Sequence, residues 1–369
     1  MRNKHLVLVG TGHTHLHLLK NAFILQKHKF TVTLISPTDF YYNGLAPGVL
    51  SKHYPKNIGH LSVQCHLDTI NGHFIKEKVV GIDIEEKTLT LSNDENISYD
   101  IVSFNIGAKG KNPLKEPNPS LFPTRPVSKL WSFQNKLISL IEQCPETLRI
   151  AIIGGGAAGV ELAGNIHHFI RANNVQSGVV LITRGSRLLP QFSSSAGSKV
   201  SKTYQKRGIQ ILLSSEVSTI HDQTIVLANQ EEIPFDLCIS ATGVVPNVIE
   251  SQKALKTTSH GELIVNKNLQ CKDHSNIFAA GDCICFESHP LWKSGYHAIN
   301  QGPVLLHNVL AVANNSSLRP YKPKSYIYTA LNLGDGTGIA IVGRFTYHGK
   351  ITFKIKDYIE RRFLRTHQC

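Results

Sequence analysis

The sequence predicts an α/β fold in which two parallel sheets each carry a glycine-rich turn. Residues 148–164, LRIAIIGGGAAGVELAG, pass from an apolar strand into closely spaced glycines and then into a helix-forming stretch. Residues 5–15, HLVLVGTGHTH, make the same transition near the start of the chain. A strand, a tight turn and a helix in this order are typical of a Rossmann-like dinucleotide-binding domain.

The later of the two turns has the complete G-x-G-x-x-G spacing, at Gly154, Gly156 and Gly159. In this pattern the first glycine allows the turn, the second lets the backbone approach a pyrophosphate, and the third lets the helix pack against the strand. The phosphates would lie on the amides at the start of the helix, where we assign Ala157 as a contact. A single motif of this kind is weak evidence, because glycine-rich turns are common.

The earlier turn supplies the second signal. Gly10 and Gly12 are in place, His15 stands at the position of the third glycine, and His13 lies between them. Two such units about 140 residues apart predict one site for a tightly held FAD and one for the NAD(P)H that reduces it.

We expect the FAD-binding domain to be built from residues 1–125 and 264–325. The NAD(P)H-binding domain would take residues 126–263, after a proline-rich linker at 111–126 that contains five prolines. Residues 326–369 would form a small α+β C-terminal interface region.

Composition limits the class of protein. The 369 residues are 41% hydrophobic and 18% charged, as in soluble globular proteins, and no apolar run reaches the ~18 residues that span a bilayer. The first strand begins near residue 5, which leaves no room for a signal peptide, so we expect a cytoplasmic protein. The net charge of +13 is scattered rather than gathered in blocks, which argues against nucleic acid as a partner.

The cysteines do not predict a flavin-coupled dithiol. No C-x-x-C or C-x-x-x-x-C accompanies either glycine turn, and the spacings suggest buried or idle thiols. Cys283 and Cys285 form a C-x-C, which is more typical of two residues on one strand face than of a strained disulfide. The seven cysteines are Cys65, Cys144, Cys238, Cys271, Cys283, Cys285 and Cys369.

Three segments are expected to surround the FAD. The strand at 30–36 ends on Ser36, where an acid usually binds the adenosine ribose, and a hydroxyl can still make one hydrogen bond there. The aromatic loop 39–50 would border the isoalloxazine ring, and we assign Pro47 within it as a contact. Val79, in a predicted hairpin at 71–92, is assigned as a further contact.

Two buried strands should return the chain to the cofactor. The first ends at Gly107, and the second ends at Gly281 and Asp282, whose carboxylate should hold the ribityl chain. A helix after Lys293 would direct its N-terminal amides, near Ala298, at the pyrimidine edge of the flavin, where negative charge accumulates on reduction.

The nucleotide preference depends on the strand at 178–183. An acid at its end would select an unphosphorylated ribose, whereas here Arg184 and Arg187 follow. An arginine can pair with a 2′-phosphate, so this pattern favours NADPH over NADH. A third strand in this domain ends at Gly243, which we assign as a nucleotide contact.

The last helix is predicted at 353–364. Ile355, Tyr358, Ile359 and Phe363 fall on one face of it. Such a stripe is most often part of a core or a dimer contact, and a membrane-surface role is the alternative. The sequence leaves monomer and homodimer open.

The assembled motifs resemble the superfamily of pyridine nucleotide-disulfide oxidoreductases over nearly the whole chain. The similarity is strongest to the dehydrogenase-like branch found alone or fused to selenide, water dikinase, which is similar in turn to type II NADH dehydrogenases and sulfide:quinone oxidoreductases. It implies FAD contacts at Gly10, Gly12, Gly107, Asp282 and Ala298, and nucleotide contacts at Gly154, Gly156, Glu161 and Gly243. The motifs that carry it are GxG at 10–12, NIGA at 105–108, GGGAAGVELAG at 154–164, ATG at 241–243 and AAGD at 279–282, with YNGLAPGVLSKHY, KSGYHAINQGPVL and KIKDYIERRFL.

The departures from these relatives concern the electron acceptor. No cysteine lies in the motif contexts of the sulfide enzymes, which argues against sulfide as a donor. The A-Q-x-A-x-Q of the quinone-facing helix is replaced here by Gly295, Tyr296, Ala298 and Asn300. Tyr296 could stack on a quinone or shield the ring, and Lys293-Ser-Gly is similar to the Lys-Thr-Gly beside the flavin in the sulfide enzymes. We therefore assign Lys293 and Tyr296 as the catalytic candidates.

The sequence thus predicts an FAD-dependent NAD(P)H dehydrogenase that passes hydride from nicotinamide to flavin and electrons on to a small-molecule acceptor, with a quinone favoured. In this interpretation the protein is cytoplasmic, and peripheral attachment to the inner face of the membrane through its last helix is an open alternative. Two alternatives stay open: a reductase of a soluble selenium or sulfur compound, and a nucleotide-sensing flavoprotein that binds a partner.

Overall fold

Two five-stranded parallel sheets organise the chain, and they confirm the predicted α/β class. The computed structural model describes residues 3–111, 118–143, 145–250, 255–288, 290–324 and 327–369. The first sheet contains β1 (Lys4–Val9), β2 (Phe30–Ile35), β5 (His73–Ile75), β9 (Ile101–Phe104) and β21 (Ile277–Ala279). Their order in the sheet is β21-β9-β1-β2-β5.

The second sheet has the order β11-β18-β12-β13-β14 and is also parallel throughout. Its strands are β11 (Leu121–Pro123), β12 (Thr147–Ile153), β13 (Gln176–Ile182), β14 (Gln210–Leu212) and β18 (Leu237–Ser240). The central strands of both sheets are almost wholly buried, which explains why they read as continuous apolar runs rather than alternating ones.

Smaller sheets surround these two. Three of them have three strands each: β6 (Val79–Asp83), β7 (Thr88–Leu91) and β8 (Asn96–Ser98); β15 (Val217–His221), β16 (Thr224–Leu227) and β17 (Glu232–Pro234); and β23 (Tyr328–Asn332), β24 (Gly338–Val342) and β25 (Phe345–Gly349). The two-stranded ones pair β3 (Phe40–Tyr41) with β4 (His60–Leu61), β10 (Ala108–Gly110) with β19 (Val244–Pro246), and β20 (Leu263–Val265) with β22 (Ile284–Phe286).

The helices cover the faces of the large sheets and the region between them. They are α1 (His13–Lys20), α2 (Ala22–Lys27), α3 (Ala46–Leu50), α4 (Gln64–Asp68), α5 (Val127–Glu142), α6 (Ala157–Ala172), α7 (Ser194–Lys206), α8 (Gly295–Ala313) and α9 (Lys350–His367). Helix α3 and the residue after it contact helices α5 and α6. Ser51, just after α3, donates its hydroxyl to Asn165 of α6 at 3.0 Å, and Gln134 of α5 donates to the Val49 carbonyl at 2.7 Å.

Three expectations about local structure need correction. Residues 13–27 form two helices divided at Asn21, whose side-chain amide donates to the His17 carbonyl at 2.8 Å. The hairpin predicted at 71–92 is present as β6 paired with β7, but its first residues form β5 of the first sheet and β8 extends the pair to a meander. The supposed linker at 111–126 contains β11, which pairs with β18 of the second sheet; the remainder of the linker at 112–117 lies outside the described residues.

The expectation of idle thiols is wrong for one pair. Cys65 and Cys369 form a disulfide across 304 residues, a pairing that local spacing cannot reveal. Cys238, Cys271, Cys283 and Cys285 are free; the first three are buried, and Cys144 lies outside the described residues.

Candidate functional site

The first glycine turn packs directly against Asn105, the residue that follows β9. Gly10 has a φ of +92°, and a Cβ there would lie 2.6 Å from the Asn105 carbonyl oxygen. A Cβ on Gly12 would collide with the Asn105 side chain. Both positions therefore require glycine, as the motif predicts.

Asn105 is the residue that sequence reasoning missed at this turn. Its Oδ1 accepts hydrogen bonds from the Thr14 and His15 amides at 3.1 and 3.3 Å, and its Nδ2 donates to the Ala280 carbonyl at 2.7 Å. It thereby joins the N-terminus of α1 to the end of β21. The N-I-G-A stretch that begins with Asn105 was the available signal.

His15 replaces the third glycine by a hydrogen bond. In the second turn, Gly159 packs directly on the Gly154 carbonyl, with no room for a Cβ. In the first turn, His15 Nδ1 donates to the Gly10 carbonyl at 2.7 Å, and Nε2 accepts from the Ser103 hydroxyl at 2.8 Å. Burial lowers the pKa of His15 to about 4, so the ring is neutral at pH 7 and this tautomer is fixed.

The strand ends of the first sheet form the remainder of the candidate FAD site. Gly107 has a φ of +69°, and no atom of the described residues lies within 4 Å of where its Cβ would be, so the backbone faces open space among them. Gly281 has a φ of +78° and donates its amide to Gln301 at 2.8 Å. Asp282, next to it, is 12% exposed and pairs with Arg125 at 2.6 Å. An orphaned buried hydroxyl, Ser294 Oγ, lies at the start of α8.

These features fit a bound dinucleotide: a glycine that faces open space among the described residues, a half-buried turn at Gly12, and a buried hydroxyl without a partner among the described residues. Ser36 is buried at the end of β2 and donates to the Thr38 carbonyl at 2.9 Å, so its position is compatible with the assigned ribose contact. Pro47 lies buried in α3 and Val79 begins β6. All three remain candidate contacts.

His13 is the centre of an aromatic group in front of the turn. Its ring lies edge-on to Phe40 and Tyr42, with centroids 5.0 and 5.6 Å away, and 5.9 Å from Phe363 of α9. Burial lowers the pKa of His13 to about 4, despite the nearby Asp282 carboxylate, so it is neutral at pH 7. The last helix therefore covers the first glycine turn.

Lys293, a catalytic candidate, is engaged with the protein. Its Nζ pairs with Glu262 at 2.5 Å and donates to the Ile284 carbonyl. Ala298 follows on α8, where its carbonyl accepts a hydrogen bond from Thr14 at 2.7 Å. Lys293 thus fixes the segment before α8, and its positive charge is shared with a carboxylate.

Tyr296, the other candidate, lies on a different face of α8 from Ala298. Tyr296, Asn300 and Val304 follow a four-residue spacing and line one side of a cavity of about 350 Å³. The opposite wall carries three cationic side chains, and none of the described ion pairs includes them. The lining also contains Arg319, Pro320, Tyr321, Lys322 and Lys324.

The second glycine turn has the geometry that its motif predicts. Gly154 has a φ of +125°, and a Cβ there would run into the Ala241 carbonyl. Gly156 and Gly243 face open space within the described part of the chain: the nearest described atom to a Cβ on Gly156 would be 3.8 Å away, and no described atom lies within 4 Å for Gly243. Helix α6 starts at Ala157, so its first amides point to the same opening.

The two arginines after β13 differ in their surroundings. Arg187 directs its guanidinium into the backbone, with donors to the carbonyls of Leu189, Pro190 and Phe192 at 3.2, 2.8 and 2.8 Å. Arg184 is exposed, and no described hydrogen bond or ion pair includes its side chain. Of the two, Arg184 is the arginine whose charge is available to a ligand.

Glu161 belongs to a buried ionic cluster. Its Oε1 accepts the Asn332 amide at 2.8 Å and lies 3.5 Å from Lys356 Nζ, which also pairs with Glu360 at 2.5 Å. Burial raises the pKa of Glu161, although the Lys356 charge opposes the rise. Burial lowers the pKa of Lys356, but the two carboxylates outweigh it and the net direction is upward.

Glu360 is the titratable member of this cluster. Burial raises its pKa to about 7, even with Lys356 beside it. Its Oε2 is buried with no hydrogen-bond partner among the described residues. Gly44 packs on this carboxyl so closely that its Cβ would lie 2.6 Å from Oε1 and 2.7 Å from the Tyr42 ring. The cluster therefore lies against the loop that carries Tyr42.

Helix α9 turns its charged face inward and its apolar face outward, the reverse of what its sequence pattern suggests. Its buried residues are Thr352, Lys356, Glu360 and Leu364. The apolar stripe faces outward instead, with Ile351, Ile355, Tyr358 and Ile359 between 45% and 62% exposed. The expectation of a core stripe is therefore wrong for Ile355, Tyr358 and Ile359, because the buried carboxylate of Glu161 attracts the charged face inward. Phe363, the fourth predicted member, packs inward against Tyr42, and a dimer contact stays a prediction.

Together these residues can bind and orient two dinucleotides and shield the first from water with an aromatic and apolar cover. When bound, FAD supplies a two-electron acceptor for nicotinamide hydride and a donor to a further acceptor. The chain contributes positioning, neutral His13, and a carboxyl at Glu360 that can hold a proton near pH 7. No described helix is long and apolar enough to span a bilayer.

Comparison with known proteins agrees with this geometry. Ferroptosis suppressor protein 1 of Taeniopygia guttata is 27% identical over 299 residues, which cover 78% of this chain and 76% of that protein. NDH2 of Plasmodium falciparum in complex with NADH has a TM-score of 0.85 at 16% identity, covering 100% of this chain and 96% of that one. The sulfide:quinone oxidoreductase of Aquifex aeolicus also gives 0.85, at 18% identity, covering 99% and 92%.

These similarities bear out the fold and the use of FAD and NAD(P)H as cofactors. A family model matches residues 4–302, which is more than half of the chain. The chain therefore belongs to the pyridine nucleotide-disulphide oxidoreductase family.

Proposed function

We propose that this oxidoreductase passes electrons from NAD(P)H, through FAD, to a quinone that reaches it from a membrane surface. The observation that carries the proposal is the arrangement of α9. One face of this helix brings a buried proton-carrying carboxyl, Glu360, against the loop at Tyr42, and the opposite face is apolar and exposed.

The inner face of α9 suits the chemistry of quinone reduction. A quinone takes up two protons with its two electrons, so a group that is protonated near neutral pH assists the reaction. Glu360 meets this requirement, because its pKa is raised to about 7 and its Oε2 has no partner among the described residues. Lys356 holds the carboxyl in place and connects it to Glu161.

The outer face suits a lipid surface. Phe345 and Tyr347 of β25 continue the apolar stripe, with 84% and 55% of their surface exposed. Lys350, Lys354 and Arg362 of α9 are exposed beside it. Basic residues flanking an apolar face are typical of helices that lie in the interface of an anionic membrane. The name of the Aquifex protein includes quinone, but at 18% identity the likeness supports only the fold.

The test is the pH dependence of Glu360→Gln. With a water-soluble quinone, the acceptor step should slow by about a hundredfold or more, as expected for loss of a general acid, while flavin reduction by NAD(P)H in a stopped-flow experiment changes less than about threefold. Because the protonated carboxyl is the active form, the wild-type rate should fall as pH rises through about 7, and the variant should lose this step.

Glu85→Gln is the matched control, since Glu85 is an exposed glutamate in the β6-β7 turn. Equal slowing of both half-reactions in Glu360→Gln would show a general structural effect and contradict the proposal. A variant as fast as wild type across about pH 6 to 9 would contradict it as well.

A soluble anionic selenium or sulfur compound is the second candidate acceptor, and the cavity beside Tyr296 favours it. Arg319, Lys322 and Lys324 line that cavity and would attract an anion. If this candidate is correct, Arg319→Ser with Lys322→Ser should raise KM for the anionic acceptor and leave quinone reduction unchanged. Repeated turnover with either acceptor would distinguish both candidate enzyme activities from a nucleotide sensor. In a sensor, the flavin would be reduced once and reoxidised slowly.

A further inference from the structure

We propose that Cys65, His66 and Cys369 form a thiol–disulfide exchange site through which a soluble dithiol releases the end of α9 from α4. The two sulfurs are bonded, with Cα atoms 6.2 Å apart. A ring nitrogen of His66 and the two sulfurs lie within 4.8 Å of one another. The inference is independent of which acceptor the enzyme uses.

The pair is accessible to an attacking thiolate. Cys369 is exposed and Cys65 is half-buried, whereas Cys238, Cys271 and Cys283 are buried. Burial also raises the pKa of Cys271 and Cys238, which keeps these thiols protonated and unreactive. Among the described cysteines, exchange is therefore directed to the Cys65–Cys369 disulfide, which reagents in solution can reach.

His66 is placed to move a proton at this site. Its Nε2 lies 3.0 Å from the His367 carbonyl oxygen, and because a carbonyl only accepts, Nε2 carries the hydrogen. Nδ1 is then the nitrogen without a hydrogen, and one of the two ring nitrogens lies within 4.8 Å of both sulfurs. An imidazole beside a leaving sulfur stabilises the thiolate and lowers the barrier to exchange.

The reaction balances with the dithiol as the reductant. One of its thiolates attacks Cys369 Sγ, the S–S bond breaks, and the electron pair leaves on Cys65 Sγ, which is protonated through His66. The second thiol of the reagent then displaces Cys369 from the mixed disulfide. The protein gains two electrons and two protons as two thiols, and the reagent becomes a disulfide.

Release of this bond would loosen the part of α9 that covers the first glycine turn. Phe363 stacks on Tyr42 at 4.9 Å and on His367 at 4.2 Å, and His367 is two residues before Cys369. The bond from His66 to the His367 carbonyl is the other attachment of this end to α4. In the reduced protein that hydrogen bond and the packing of Phe363 and Leu364 would have to hold the last turn in place.

The experiment compares the protein before and after treatment with dithiothreitol under native conditions. Alkylation and peptide mapping should identify a linked Cys65–Cys369 peptide, and dithiothreitol should convert it to two alkylated thiols. Hydrogen exchange over residues 363–369 should then speed up at least tenfold, with little change in α6 or α8. Cys369→Ser should reproduce the faster exchange without reductant, and Cys285→Ser, a half-buried free thiol, is the matched control.

His66→Gln tests the proton transfer, because glutamine retains an N–H donor for the His367 carbonyl. We expect it to keep the disulfide but slow its opening by dithiothreitol about tenfold near pH 7. Two results would overturn the proposal: Cys65 and Cys369 found as free thiols or holding a metal ion after aerobic purification, or reduction that leaves hydrogen exchange in α9 unchanged. Each result is read from mass and exchange data, so it is separate from any failure to reduce quinone.

Discussion

Arg184→Ala should reduce the preference of this enzyme for NADPH over NADH. The strand β13 ends without the acid that would bind a ribose 2′-hydroxyl and repel a 2′-phosphate. Arg184 follows two residues later and is exposed, with its guanidinium free of described partners. We therefore expect NADPH to have the higher kcat/KM in the wild type.

The size of the effect follows from one charge-assisted contact. Such a contact contributes about 1.5 to 3 kcal/mol, which corresponds to roughly a tenfold to hundredfold preference. Because Arg184 is exposed, solvent screening places the expected value at the lower end, about tenfold. The change should appear as a higher KM for NADPH, with kcat and the KM for NADH nearly unchanged.

Arg187→Ala provides the comparison within the same loop. Its guanidinium holds the carbonyls of Leu189, Pro190 and Phe192, so its removal should loosen the loop and affect both nucleotides alike. Steady-state kinetics with each nucleotide, at fixed acceptor, separate the two variants. If NADH is the better substrate of the wild type, or if Arg184→Ala impairs both nucleotides equally, Arg184 is an ordinary solvated side chain.

Other substitutions test the FAD site. Asp282→Ala should yield protein with little bound FAD, measured by absorbance, because a ligand hydroxyl loses its acceptor at a cost of about 1 to 3 kcal/mol and Arg125 loses its partner. Replacing Cys283 and Cys285 together by Ser should leave flavin reduction within a few fold, since both are free; a loss beyond about tenfold with FAD bound would reveal a redox role. Lys293→Gln should lower the flavin reduction potential if its charge faces the ring, and should change only stability if Glu262 already neutralises it.

The local sequence pattern was sufficient to predict the geometry of the two glycine turns. Gly154 and Gly159 are demanded by contacts within a few residues or with the adjacent strand, so their spacing alone predicts the geometry. The same holds for the start of α6 at Ala157. His15 departs from the motif, yet the turn is retained, because the imidazole hydrogen-bonds to the Gly10 carbonyl, which the third glycine of the motif would approach.

Contacts between residues far apart in the sequence were not predictable from the local sequence pattern. Asn105 stabilises a turn that lies 90 residues away in sequence, and the Cys65–Cys369 bond spans 304 residues. Hydrogen-bonding side chains of this kind carry no periodic signal, and the spacing of cysteines does not encode which of them meet. Their partners become visible only when the sheets are assembled.

Helix α9 shows why a correctly identified apolar stripe can still be assigned to the wrong side of the helix, the buried one instead of the exposed one. Its apolar stripe is real, but amphipathicity alone does not say which face is turned inward. Burying Lys356 and Glu360 is unfavourable unless an opposite charge is already present. Glu161, which the glycine motif places in α6, supplies that charge, and Asn332 completes its hydrogen bonds. The nucleotide-binding motif therefore contains the residue that orients the last helix, and the same interaction leaves the apolar stripe on the outside, where a membrane could receive it.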